Sequence, residues 1–142
     1  MKEILHIVLI FCLLSNLSAQ QQSDANQLLK AGSEKLKYQD FTGAIKDFNK
    51  ASRMNTSLYE AYNGRAEAKL NLSQLDEALR DINKSMEIRN DAPQSYLLRG
   101  RIYAAQKKNT EALADLNKAL ELKSDFYEAI SQKAMFILPN SE

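Results

Sequence analysis

Apolar and small residues recur along this chain at helical spacing, in three matching stretches separated by polar turns. Ala44, Phe48 and Ala51 stand at i, i+4 and i+7, as do Ala78, Ile82 and Ser85, and Ala112, Leu116 and Ala119. Apolar side chains so spaced share one face of a helix, and the small ones let a second helix approach closely. The three stretches, FTGAIKDFNKASRM, LDEALRDINKSMEI and NTEALADLNKALEL, lie 34 residues apart. Upstream of each is a second matching segment, LLKAGSEKLKY, YNGRAEAKLNL or YLLRGRIYAAQ, so each unit pairs two helices around a short polar turn. A fixed period of this length predicts stacked units, each unable to bury its apolar face alone. Ser57 with Glu60, Asp91 with Gln94, and Asp125 with Glu128 read as capping boxes that start helices near 58, 92 and 126, with Pro93 in a first turn. YEAISQKAMFIL, residues 127–138, reads as a final capping helix whose Met135, Phe136, Ile137 and Leu138 leave apolar surface for packing or docking.

The period and residue classes resemble the tetratricopeptide repeat (TPR). Family positions 4, 7, 8, 11, 20, 24 and 27 fall on Leu28, Ala31, Gly32, Lys35, Ala44, Phe48 and Ala51. In the second copy they fall on Tyr62, Arg65, Ala66, Lys69, Ala78, Ile82 and Ser85, and in the third on Tyr96, Arg99, Gly100, Tyr103, Ala112, Leu116 and Ala119. Lysine replaces the usual aromatic at position 11 twice, and position 32 is Thr56, Asn90 and Ser124 instead of proline. The resemblance implies an all-α right-handed superhelix, an α-solenoid of three helix-turn-helix units (25–58, 59–92 and 93–126) plus the capping helix and a 139–142 tail. It also implies that Asp47, Asp81 and Asp115 meet a basic residue of the following unit. The expected ladder is Asp47 with Arg65, Asp81 with Arg99, and Asp115 with Lys133.

Residues 1–19 differ in kind. Lys2 precedes an apolar run from Ile4 to Leu14, and small polar residues follow. This reads as a secretory signal peptide cleaved after Ala19, with retention as an anchor the other reading, and leaves a short lead at 20–24. The expected location is secreted or periplasmic, in a bacterial envelope. Cleavage would remove His6 and Cys12, the only histidine and cysteine, so no disulfide could brace the remainder. Phe11 before Cys12 argues against a lipidated cysteine.

Charge adds little direction. The 19 basic and 18 acidic residues form no basic stripe, which argues against nucleic acid as a partner. No nucleophile with a base, no phosphate-binding glycine loop and no zinc spacing is present, so no enzyme activity, cofactor or metal is expected. Sequons at Asn55, Asn71 and Asn83 matter only in a host that glycosylates secreted chains.

Binding is the remaining class. In TPR arrays positions 2, 5, 6, 9, 12 and 13 of the first helices face a concave groove. These are Asn26, Leu29, Lys30, Ser33, Leu36 and Lys37, then Glu60, Asn63, Gly64, Glu67, Leu70 and Asn71, then Gln94, Leu97, Leu98, Arg101, Ala104 and Ala105. Leu29, Leu97 and Leu98 would form an apolar patch within a mixed groove suited to a peptide. The family's co-chaperones grip acidic C-termini with lysine, asparagine and basic residues. The corresponding positions are Leu29, Ser33, Gly64, Gln94 and Leu98, so that clamp is absent. The resulting expectation is a non-catalytic scaffold that binds a protein or peptide in its groove. The alternative is a structural subunit that self-associates, or docks in an envelope complex, through its capping helix.

Overall fold

The computed structural model describes residues 1–137, the side chains of Lys2 and Ile137 excepted. Leu138, named above for its apolar surface, and the 139–142 tail lie outside the described residues. Seven helices follow one another: α1 (Lys2–Lys37), α2 (Phe41–Met54), α3 (Tyr59–Asn71), α4 (Leu75–Ile88), α5 (Pro93–Ala105), α6 (Asn109–Leu122) and α7 (Tyr127–Ile137). Among the described residues there is no strand. Each helix packs on the next, and α1 touches α3, α3 touches α5, and α5 touches α7, the connectivity of a solenoid. The C-terminal part of α1 pairs with α2, α3 with α4, and α5 with α6.

Small residues set the spacing. Ala44, Ala51, Ala61, Ala66, Ala68, Ala78, Ala112, Ala119 and Ala129 are fully buried, with Phe48, Ile82 and Leu116 between them as the large fillers. They divide into three clusters along the array: one around Phe48, one around Ile82 and Leu98, one around Leu97, Leu116 and Phe126. Filler size is matched to what faces it. Gly32 of α1 and Gly64 of α3 leave room for the Phe48 ring. Where the filler is the smaller Ile82, Ala66 and Leu98 occupy the same register positions.

The turns inside each pair are alike. Gln39, Ser73 and Lys107 adopt positive φ of 62, 60 and 62°, at the same register 34 residues apart. The next residue's N–H reaches back to the carbonyls of Lys35, Lys69 and Tyr103 at 2.9 Å, closing each first helix by a left-handed C-cap.

Two expectations of local structure change. The capping boxes do not form at α3 and α5. Leu58 and Ala92, both buried, occupy the N-cap positions and make no side-chain cap bond. Ser57 instead donates its backbone N–H to Asn55 Oδ1 at 2.9 Å, and Asp91 turns to Arg89 at 2.9 Å. Burying the residue before the helix points the preceding polar side chain away from the free N–H groups. A side-chain cap does occur at α2, where Asp40 accepts from the Gly43 N–H at 2.9 Å.

The ion-pair ladder closes within units, not between them. Asp81 accepts from Arg65 (Nε, 2.8 Å) and Asp115 from Arg99 (2.7 and 2.8 Å). Asp47 takes Lys35 at 2.6 Å, because the arginine position in α1 is Ala31. Each arginine lies opposite the aspartate of its own hairpin, which holds the pair in register. The third guanidinium nitrogen reaches the preceding unit: Arg65 Nη1 donates to Asn49 Oδ1 at 2.7 Å, and Arg99 Nη1 to Asn83 Oδ1 at 3.4 Å.

The N-terminal part of α1 stands apart. The helix runs without a break across Ala19, and the apolar side chains from Ile4 to Leu17 are all exposed. By length and composition this helix could cross a membrane.

Candidate binding groove

The first helices of the units bound one face of the array, and two adjoining hollows open there. One, of about 440 Å³, is lined by Ser33, Leu36, Lys37, Tyr59, Glu60, Asn63, Gly64, Glu67 and Gln94. The other, of about 410 Å³, is lined by Leu36, Lys37, Gln39, Phe41, Glu67, Asn71 and Arg101. Leu36, Lys37 and Glu67 border both, so the hollows form one groove across α1, α3 and α5.

Of the residues expected in the groove, Ser33, Lys37, Glu60, Asn63, Glu67, Asn71, Gln94 and Arg101 come together there. Asn26 and Lys30 are exposed on α1 but border neither hollow, and Leu29 is half-buried against the first core cluster. Leu97 and Leu98 are the correction. They are 2 % and 1 % exposed, Leu97 packed with Leu116, Ala119, Phe126 and Ala129, and Leu98 with Ala66, Ala78, Ile82 and Ile102. With helices on both sides of α5, two adjacent leucines are each buried against a different neighbour. The groove therefore lacks the apolar patch expected of them.

Tyr59, Gln39 and Phe41 join the lining unforeseen. Tyr59 sits at the first position of its unit, Gln39 is the left-handed residue of the hairpin turn, and Phe41 is the first residue of α2; the latter two line the second hollow.

Polar groups of both signs line the groove. Lys37 pairs with Glu34 at 2.7 Å, and Arg101 Nη1 lies 3.6 Å from Glu67 Oε1. Arg89 stacks over the Tyr59 ring at 5.0 Å and donates to its hydroxyl at 3.1 Å. Burial, then the Glu60 carboxylate, raises the Tyr59 phenol above its ordinary pKa. At the floor, Asn63 and Ser95 exchange hydrogen bonds of 2.9 and 3.1 Å, both side chains buried. Such a lining can pair with peptide backbone and with charges of either sign. Among the described residues no group of histidine, cysteine, aspartate and glutamate could hold a metal ion.

None of the curated proteins matches this chain. The model of the tetratricopeptide repeat matches residues 93–126, the α5–α6 hairpin and the turn after it. Among solved structures, the TPR domain of Arabidopsis OM64 superposes with a TM-score of 0.78 at 24% identity, over 82% of this chain and 97% of that one. The first TPR domain of human RPAP3 gives a TM-score of 0.78 at 23% identity, covering 82% and 91%. The first TPR of Spaghetti (RPAP3), bound to the HSP90 peptide SRMEEVD, gives 0.76 at 23%, covering 82% and 92%. By sequence the third unit matches a tetratricopeptide repeat, and the array as a whole has the fold of TPR domains.

Proposed function

We propose that this protein is a non-catalytic scaffold that binds a peptide or an extended protein segment in the groove across α1, α3 and α5. The observation that carries the reading is the pair of contiguous hollows, where exposed Lys37, Glu60, Asn71 and Gln94 face open space. The similar Spaghetti domain holding a peptide supports the class of ligand. It does not carry over the acidic HSP90 sequence. At the clamp positions stand Leu29 and Leu98, which pack inward, Gly64 against the Phe48 ring, Ser33, whose hydroxyl donates to the Leu29 carbonyl, and Gln94. With no cation at any of them, peptide carboxylates seated at those positions would lose their solvation without a matching charge.

The N-terminal apolar stretch fits a signal peptide, and we place the protein in a secreted or periplasmic compartment, without a membrane span once that stretch is removed. Mass spectrometry of the protein from fractionated source cells checks this. A chain beginning at Gln20 outside the cytoplasm is expected, and a full-length chain held in the membrane overturns the cleavage.

The groove is tested by crosslinking in intact source cells, comparing the native protein with a Glu60→Arg, Glu67→Arg variant of matched helicity. Loss of one dominant crosslinked partner is expected. Equal recovery of that partner by both overturns groove recognition. Leu97 and Leu98 are unsuitable for the purpose, since a charge at either would break the core.

A further inference from the structure

On α7 a helix-binding face used by all three hairpins of the array stands open. α7 rests on α6 and touches α5, as α5 rests on α4 and touches α3. Its inner face repeats the pattern faithfully: Phe126 and Ala129, 6 % and 0 % exposed, stand in register with Leu58 and Ala61 at the start of α3 and with Ala92 and Ser95 at the start of α5. The opposite face of α3 is covered by α4, which buries Ala66 and takes Arg65 onto Asp81. The opposite face of α5 is covered by α6, which buries Gly100 and takes Arg99 onto Asp115. The register equivalents on α7 are Ile130, Lys133 and Ala134. Ile130 is 44 % exposed, and Ala134, unlike Ala66, is only half-buried. Among the described residues no helix covers this face, and no ion pair joins Lys133 to a carboxylate.

We infer that this face docks an amphipathic helix of a partner protein whose contact stripe reads alanine, aspartate three residues on, and a large apolar residue directly after it. The chain specifies that stripe itself. Ala44, Asp47 and Phe48, then Ala78, Asp81 and Ile82, then Ala112, Asp115 and Leu116 are the residues with which α2, α4 and α6 cover their own first helices. The small residue admits close approach at Ala134, the large one covers Ile130, and the aspartate meets Lys133 as Asp81 and Asp115 meet Arg65 and Arg99, at 2.8 and 2.7 Å. The inference is independent of the groove, which lies on the face formed by α1, α3 and α5.

The probe is a labelled peptide of the α6 sequence, NTEALADLNKALEL, stapled on its exposed face because a free helix of this length is marginal in water. Its binding to the full chain is followed by fluorescence anisotropy. Saturable binding is expected, weakened about tenfold or more by Lys133→Asp and by the milder Lys133→Gln, and regained when the peptide's aspartate is changed to lysine against Lys133→Asp. Glu67→Arg in the groove leaves it unchanged, so failure here and failure of the groove reading are separable. No saturation up to about 1 mM peptide overturns the inference, as does binding indifferent to both Lys133 variants. A concentration-dependent dimer that excludes the peptide and is broken by Lys133→Asp also overturns it, in favour of a second copy as the occupant.

Discussion

The ring of Phe48 in α2 lies between the backbones of Gly32 in α1 and Gly64 in α3, so close that a Cβ on Gly64 would stand 2.7 Å from Cε1, and one on Gly32 at the same distance. The ring cannot retreat from one helix without striking the other. Gly64→Leu is therefore expected to destabilise by about 1–3 kcal/mol, even after the roughly 1 kcal/mol that helix propensity returns. Phe48→Ile should relieve much of it, because Ile82 and Leu98 occupy this arrangement one unit on. Chemical denaturation of both singles and the double checks this. A coupling energy near zero would mean the two positions do not share one space.

Arg99 and Asp115 give a second test, aimed at the register of the ion pairs. Arg99 is the cation paired with Asp115, whereas Asp81 has Arg65 and Lys69. Arg99→Met is expected to cost about 2–3 kcal/mol, held below the cost of breaking a fully buried pair by the partial exposure of the guanidinium, and Lys69→Met under about 1 kcal/mol. A double-mutant cycle of Arg99→Met with Asp115→Asn should show coupling, and one with Asp81→Asn should show none. The reverse result would restore a ladder between units.

That register was not legible in the sequence for a simple reason. Asp81 lies 16 residues after Arg65 and 18 before Arg99, and the period alone does not say whether the helix before or the helix after supplies the partner. The pairing of helices and the small-large alternation were legible, because Ala44, Ala78 and Ala112 can recur at one spacing only if one unit recurs. Leu97 and Leu98 depart from the expected patch because their register equivalents in α3, Asn63 and Gly64, border the groove, whereas in α5 the two leucines are each drawn into a different core cluster. Lys37, Glu67 and Arg101 were found because long charged side chains reach open space from almost any position on a first helix. Tyr59 and Phe41 carried no such sign, since an aromatic residue at a helix start reads as core.

Lys107 supplies a third prediction. It is exposed and held at φ 62°, a left-handed conformation that costs a side-chain-bearing residue about 1 kcal/mol and glycine very little. Lys107→Gly should raise stability by about 0.5–1 kcal/mol, seen as a higher melting temperature with unchanged helicity. Equal or lower stability would mean that the turn is not strained by its side chain, or that glycine's extra freedom in the unfolded chain outweighs the relief.

Asn63 and Ser95 form the polar junction at the groove floor, and their register equivalents are apolar on either side: Leu29 with Ala61 between α1 and α3, Leu97 with Ala129 between α5 and α7. Ser95→Ala leaves the buried Asn63 amide without its partner and should cost about 1–3 kcal/mol. Adding Asn63→Leu converts the junction to the apolar kind found in its neighbours, and the double variant should recover wild-type stability or exceed it. If the polar pair is kept because the groove uses it, the same variant should fold normally and lose peptide binding. A double variant that is both stable and fully binding would assign the pair to neither role. One that stays destabilised would show that the α3–α5 junction differs in shape from the junctions beside it.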